Sequence, residues 1–565
     1  MFNDLQLAPK HRARIVVVSL AKNRKIVVLL DIEKAMPSDV GIFDVCIVGS
    51  GAAGLVLASE LLKHKKRVLL LEGGGSQYEP RYQDLYKAQV TGRAYNGPLD
   101  GRVRMLGGTT TQWGGRLIEL ADPIFSGRSW IDGGGWPIKK KALIPYYLRA
   151  EKLTGIESSL KSTEAIWRRL NLTPINLASE LNFEYSRFCP ETDFSTIYSD
   201  IIRNDRNITV ILHANACELK FHRDSSSVSS VRCRTLTNRE RYFSAKVFVL
   251  CMGGIETSRF LLQPRTDGSQ NPWSRHGLVG KFFQDHISCF VSDLRNIRIP
   301  SPGRYFDYVA IQRLKYHGYL SLPFALQRQL KTLDVSGTVT PNNGGFNNIA
   351  NAYETVRLMK LRKFGKLNIQ RLAHLAVNVP RLVWHKLPYG RTALNIFPAE
   401  TSFRLCVHCE QAPLSDGRIT LARQQDALGL FRANVKWSIS EMELHSIRIF
   451  AEVFQKAFQS RNLGDVTIYP EITEEGAAAA SNCRESFHHM GGARMSTTED
   501  QGIVDTDLKA FGTDNLFVCG SAVFPSAGSA NPTYTVIALA IRLADHLAGV
   551  LSDSISRVSS LSANS

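Results

Sequence analysis

The stretch from Phe43 to Glu72, FDVCIVGSGAAGLVLASELLKHKKRVLLLE, limits what this chain can fold into more than any other. An apolar run enters Gly49, Gly51 and Gly54, an amphipathic run follows, and a second apolar run ends at Glu72. Gly49 permits a tight turn, Gly51 lets backbone approach a pyrophosphate, and Gly54 lets a helix lie close on a strand. The start of that helix offers N–H groups and a positive dipole to phosphate oxygens, while an acid placed as Glu72 is binds both ribose hydroxyls. Such an acid disfavours a 2′-phosphate, so the sequence reads as FAD- or NAD-binding rather than NADP-binding.

A second glycine cluster chooses between the two. GRVRMLGGTTTQWGGRL, from Gly101 to Leu117, packs Gly107, Gly108, Gly114 and Gly115 among hydroxyls and Trp113 with few charges. Backbone of that kind lies close against a flat ring, which suits an isoalloxazine better than a mobile nicotinamide. Residues 208 to 263 read as strands around a polar hairpin that return to the nucleotide domain, with Gly253 and Gly254 opening a helix near the cofactor. The expected fold is α/β, a Rossmann-like FAD-binding domain on a mostly parallel sheet.

The chain has 565 residues, too many for one simple core, and its net charge of +18 is locally concentrated. Between 351 and 391, nine Lys or Arg face the single acid Glu354. There Leu358, Leu361 and Phe364 alternate with Arg357, Lys360 and Lys363, a composition that suits either a helix lying on an anionic membrane or redox partner, or a solvated excursion packed on its own domain. No nucleic-acid module accompanies the charge. The ten cysteines are sparse, and Cys46, Cys251 and Cys519 sit in apolar runs, so they read as buried thiols in a reducing, cytoplasmic compartment. Cys406 and Cys409 lack a second pair, and no metal site is expected. No run of 18 apolar residues occurs, which argues against a membrane span. Residues 1–42 read as an extension: Lys22, Arg24 and Lys25 interrupt the apolar stretch after Arg14, and no small-residue cleavage site follows.

Near the C-terminus, FHHMGGARM is followed by NLFVCGSAVFPSAGSANPTYTVIALAIRLADHL, a strand, a Gly-rich loop and a helix. Asn531 reads as the helix N-cap and Pro532 as its first residue, with Val536, Ala540, Leu543 and Leu547 as an apolar stripe. Taken in order, GSGAAG, GGTTTQWGG, GWPI, CMGGIETSRFLL, VGKFFQDH, HHMGGARM and ANPTYT resemble the glucose–methanol–choline (GMC) oxidoreductases, and the likeness runs from about Phe43 to Leu547. The motifs are most similar to the sugar-oxidising, pyranose-oxidase-like branch.

The resemblance implies an FAD enzyme oxidising CH–OH groups by hydride transfer to flavin N5, with His488 as base and Asn531 as its partner. Gly492 stands where the family usually has Thr. His489 is the competitor for the catalytic position, and adjacent side chains on an extended strand point to opposite faces. Cofactor contacts are expected from Gly49, Ser50, Gly51, Gly54, Glu72, Gly107, Gly108, Thr109, Trp113, Gly114, Cys217, Gly253, Gly520, Ser521, Pro532 and Thr533. Weaker substrate contacts are expected from Gln411 and His489. Relatives resembling pyranose oxidase attach flavin through a His just before the Trp of the second cluster; Gln112 takes that place, so FAD is expected to bind non-covalently. The substrate is read as a sugar, glycoside or polyol, with oxygen, a quinone or a redox protein as electron acceptor. Sterol or lipid alcohol oxidation, a lyase activity and a docking role with little turnover are the alternatives. The FAD domain is expected from 43–130, 186–290 and 480–550, a substrate domain containing an antiparallel sheet from 131–185 and 291–479, and a tail from 551–565.

Overall fold

A computed structural model describes residues 29–34, 36–37, 40–177, 179–223, 226–342, 402–474 and 480–562, with short pieces between 355 and 379. The basic insertion at 351–391, including Lys360, Arg362, Lys363 and Lys366, lies outside the described residues except for those pieces.

Runs of Val, Ile and Leu that are apolar on both faces suit a sheet covered on both sides. Val45, Cys46 and Ile47, and all of Val68–Leu71, are fully buried in an eight-stranded sheet. Its parallel part runs Leu29–Asp31, Ile208–Leu212, Val68–Leu71, Phe43–Val48, Glu240–Leu250 and Leu516–Val518. Leu29–Asp31, within the segment read as an extension, is thus an edge strand of this sheet. The long strand Glu240–Leu250 divides its pairing. Residues 245–250 pair in parallel with Phe43–Val48, while 240–244 begin an antiparallel meander through Val228–Arg234 and Asn215–Phe221. Helix Ala52–Lys63 covers this sheet and packs on the C-terminal helix Thr533–Ser562. Helix Ile144–Leu153, from the segment expected on the substrate side, packs against the same C-terminal helix.

The absence of an apolar run in the sequence understates that C-terminal helix. Thr533–Ser552 reaches a mean hydropathy of 1.5, and 67% of that window is buried inside the protein, as befits a core helix interrupted by few polar residues.

A nine-stranded, antiparallel sheet follows the order Asp465–Ile468, Ile287–Arg295, Phe403–Cys409, Val335–Pro341, Leu314–Ser321, Asn182–Phe188 and Arg116–Leu117, with Tyr308–Ile311 and Cys483–Glu485 attached. Period-two alternation makes it two-faced. Leu405, Val407, Val335 and Val339 turn to a core shared with Phe450, Phe454 and Phe458 of helix Glu441–Ser460. The other face carries His408, Cys406, Arg404, Ser336 and Thr338 and looks towards the crevice of the first sheet. All ten cysteines are buried. Cys406 and Cys409 fall on opposite faces of one strand, whereas Cys289 and Cys483 are direct cross-strand partners with sulfurs 3.0 Å apart.

Candidate active site

Three adjacent parallel strands, Phe43–Val48, Glu240–Leu250 and Leu516–Val518, run out into glycine at one edge: Gly49 and Gly51, Gly253, and Gly520. A ligand crevice beyond the carboxyl ends of strands is the expected site in an open α/β sheet. The glycines serve two purposes. A Cβ on Gly54 would meet Gly49 O at 1.9 Å and one on Gly49 would meet Cys251 O at 2.5 Å, so these two permit close packing. At Gly51, Gly253 and Gly520 a Cβ would have nothing within 4 Å, so these leave room for a ligand. The second glycine cluster closes over the same place: a Cβ on Gly108 would lie 3.0 Å from Gly51 Cα. Gly114 is likewise open, Thr109 is exposed, and Trp113 is fixed by its Nε1–H donating to Thr192 O at 2.7 Å.

Glu72 ends the neighbouring strand. Its carboxylate accepts from Ser50 Oγ at 2.6 Å, Ser50 N at 3.2 Å and Gly74 N at 2.8 Å, and burial raises its pKa. A cavity beside it is lined by Gly73, Arg104, Asn215, Ala216, Met252 and Glu256. Arg104 donates to Asn215 Oδ1 and Glu256 Oε1, while its buried Nε finds no acceptor among the described residues. An acid, open glycines and an orphaned donor around one crevice fit the ribose and pyrophosphate of a dinucleotide. The Cys217 side chain does not line this cavity. It lies one strand position beyond Ala216, so its thiol turns away into a cluster with Tyr82, Leu85 and Leu428.

At the other end of the crevice the imidazoles of His286 and His488 meet. His286 follows the loop from Val279 and immediately precedes strand Ile287–Arg295. His286 Nε2 lies 2.7 Å from Gly528 O, and its Nδ1 lies 2.9 Å from His488 Nδ1. A carbonyl only accepts, so His286 carries its proton on Nε2 and presents Nδ1 as an acceptor. His488 therefore donates from Nδ1, which leaves Nε2 unprotonated and facing Asn531 Nδ2 at 3.0 Å. Burial, then neighbouring His286, His408, His489 and Arg116, hold the pKa of His488 well below its ordinary value. Burial likewise holds His286 down to about 4. The Gly528 carbonyl is itself anchored, since Gly528 N and Asp334 N donate to Glu410, which forms a two-pronged, fully buried ion pair with Arg128 at 2.6 Å.

Asn531 is not the helix cap. The helix begins at Thr533 and its first turn closes from Val536 N to Pro532 O, while the Asn531 carboxamide reaches out to His488. Pro532 is buried and Thr533 half-buried at this helix start, and Ser521 Oγ donates to His489 O at 2.6 Å. His488 and His489 point to different surroundings. His489 is buried against Phe283 and Tyr95, with Nε2 4.0 Å from Asp285 Oδ2. The Gln411 carboxamide is mostly engaged within the protein: Oε1 accepts from Asp285 N at 2.9 Å and Trp437 Nε1 at 3.1 Å, and one Nε2 hydrogen goes to Ser438 O. It supports Asp285, whose Oδ1 accepts from His488 N at 2.7 Å. His286 is the member of this cluster that sequence reasoning missed. Its motif, VGKFFQDH, was visible, but its partners lie about 200 positions away.

The GMC oxidoreductase family model matches residues 413–540, and a model for NAD(P)-binding Rossmann-like domains matches 47–106. A dehydrogenase of Strobilurus tenacellus is 38% identical over 90% of this chain and 94% of its own length. A 2-methyl-1,2-propanediol dehydrogenase of Mycolicibacterium austroafricanum is 22% identical over 90% and 96%. Among solved structures, a formate oxidase of Aspergillus oryzae studied for modification of its FAD superposes with a TM-score of 0.54 at 18% identity, covering 92% of this chain and 100% of that one. The chain belongs to the GMC oxidoreductase family. It is an FAD-dependent oxidoreductase.

Proposed function

We propose that the enzyme oxidises a CH–OH group of a sugar, glycoside or polyol, with His488 taking the hydroxyl proton and Asn531 holding the substrate oxygen. The observation that carries this reading is the tautomer relay. With Nδ1 engaged by His286, the lone pair of His488 Nε2 is the only basic position of that ring, and it shares a contact with Asn531 Nδ2. A carbinol oxygen replacing that contact gives its proton to Nε2 and accepts from Nδ2. The neighbouring ring of His489 does not compete for this role, because it is packed among aromatic side chains. The low pKa keeps His488 neutral and able to accept a proton near pH 7. FAD, when bound in the crevice, supplies the hydride acceptor. The start of helix Thr533–Ser562 adds positive dipole where reduced flavin gains negative charge.

Kinship with a diol dehydrogenase supports the alcohol class, and the HMGGARM and ANPT motifs support the sugar-directed branch. Gln112 supports non-covalent FAD, because a carboxamide is no nucleophile for the flavin ring. Ten buried cysteines support a reducing compartment. We divide the chain into an FAD lobe around the eight-stranded sheet and a substrate lobe around the antiparallel sheet. The test is anaerobic bleaching of the flavin by a panel of sugars, glycosides and polyols. Failure of every alcohol to bleach it overturns the reading, and flavin that stays with the precipitated polypeptide after acid overturns non-covalent binding.

A further inference from the structure

We infer that the alcohol this enzyme oxidises carries an oxyanion, a carboxylate or a phosphate, and that Arg116 binds it. The inference rests on the assignment of His488 as the base and goes on to name the substrate's chemistry.

The polar face of the antiparallel sheet carries its charges one-sidedly. Cross-strand register places Arg116 beside Phe188, His317 beside Ser186, His408 between Ser288 and Ser336, and Arg484 beside Ser288. Lys315 and Arg404 share that face. Of the carboxylates on it, Glu184 and Asp293 already accept from the hydroxyls of Tyr319 at 2.8 Å and Tyr469 at 2.7 Å, and Asp465, on the edge strand, pairs with Arg298 at 3.0 Å. Lys315, Arg404 and Arg484 rest on aromatic rings, at 4.2 Å from Phe188 and at 4.1 and 5.8 Å from Phe290.

Arg116 and Arg404 each bury a guanidinium nitrogen with no acceptor among the described residues, and the one that acts on His488 is Arg116. Its Nε donates to Ser186 Oγ at 3.0 Å and its guanidinium lies 5.4 Å from the Tyr319 ring, but Nη2 is shut off from solvent with no acceptor among the described residues. Burial lowers its pKa, and no carboxylate contributes to offset that. A guanidinium held by one edge, with its other edge desolvated and unpaired, is costly unless a partner arrives. A two-pronged oxyanion is the partner its geometry fits. Arg116 also acts electrostatically on both His488 and His408, so the anion would sit on the same wall as the base. The chemistry at the carbinol is unchanged: its O–H proton goes to His488, its C–H hydride goes to FAD, and the oxyanion anchors.

The test compares matched alcohols on the holoenzyme: gluconate and glucuronate, glucose 6-phosphate, and neutral glucose. One anionic series is expected to exceed glucose in kcat/KM by roughly tenfold or more, and which series does so separates carboxylate from phosphate. Acetate and inorganic phosphate, which have no carbinol, should compete with substrate in the same order. R116Q should lower kcat/KM for the preferred anion by roughly 10²-fold, mainly through KM, and lower that for glucose much less. R116K should recover part of the loss, and it also serves should R116Q fail to hold FAD. A preference for glucose over both anions overturns the inference while leaving alcohol oxidation standing. So does an equal loss for charged and neutral alcohols accompanied by a shift in the flavin midpoint potential, which would place Arg116 on the cofactor. Failure of every alcohol to bleach the flavin overturns both readings.

Discussion

The nucleotide crevice and the catalytic wall face each other, yet they are made of different material. The crevice is made of backbone. Gly49, Gly51, Gly253 and Gly520 follow parallel strands, and the carboxylate of Glu72 is held beside them by Ser50 and Gly74. The wall is made of side chains, His286, His488, Asn531, His408 and Arg116, brought together from distant strands and loops. Backbone sites depend on spacing within one segment, so each substitution there acts on binding or folding. Side-chain sites depend on tertiary register, so substitutions there act on rate and specificity.

The largest expected effect tests the wall. His488→Ala should slow anaerobic flavin reduction by roughly 10²–10⁴-fold with FAD still bound, and His489→Ala should do far less. Reversal of the two would move the base to the buried ring. His286→Gln should slow reduction by roughly 10-fold or more and alter its pH profile, because the glutamine does not reproduce the imidazole that fixes the His488 tautomer. An unchanged profile would mean that His488 needs no orienting partner.

Gly51→Ala addresses the crevice. The added methyl meets no protein atom within 4 Å, so apoprotein stability should hold while FAD affinity falls by roughly tenfold, about 1.4 kcal/mol. Loss of the apoprotein fold instead would show that Gly51 serves packing, as Gly54 does.

The smallest effect is a pH slope. Folded His286 titrates at about 4, below the ordinary histidine value. Between about pH 6.5 and 4 the unfolded chain therefore binds a proton that the folded chain refuses, and stability is lost as pH falls through that window. Urea unfolding should show His286→Gln to have the shallower dependence, by at most about 1.4 kcal/mol per pH unit. Parallel slopes would mean that the histidine is charged in the folded state.

This division also explains what the sequence disclosed. Phe43–Glu72 and Gly107–Gly115 were legible because turn, strand and acid follow one another along the chain. The pair His488 and Asn531 was legible through motif order, whereas local sequence alone leaves Asn531 equally readable as a cap or as a partner of His488, since both use the same residue type. Cys217 falls at a register shift in its strand, and its thiol packs with Tyr82, Leu85 and Leu428, an orientation that motif order does not give. Gln411 was legible as a polar residue near this site, but not its support of Asp285 through Oε1, which depends on tertiary packing. His286 and Arg116 lie in segments that were legible as motifs, but their roles were not, because those come from the pairing of distant segments.

The hydrogen-bond chain that begins at Asn531 ends at the carbonyl of Gly528. An amide oxygen is too weak a base to receive a proton, so this chain orients and does not conduct. Among the described residues the proton gained by His488 has no exit along this chain, which leaves the substrate side as its way out and ties regeneration of the base to the departure of product.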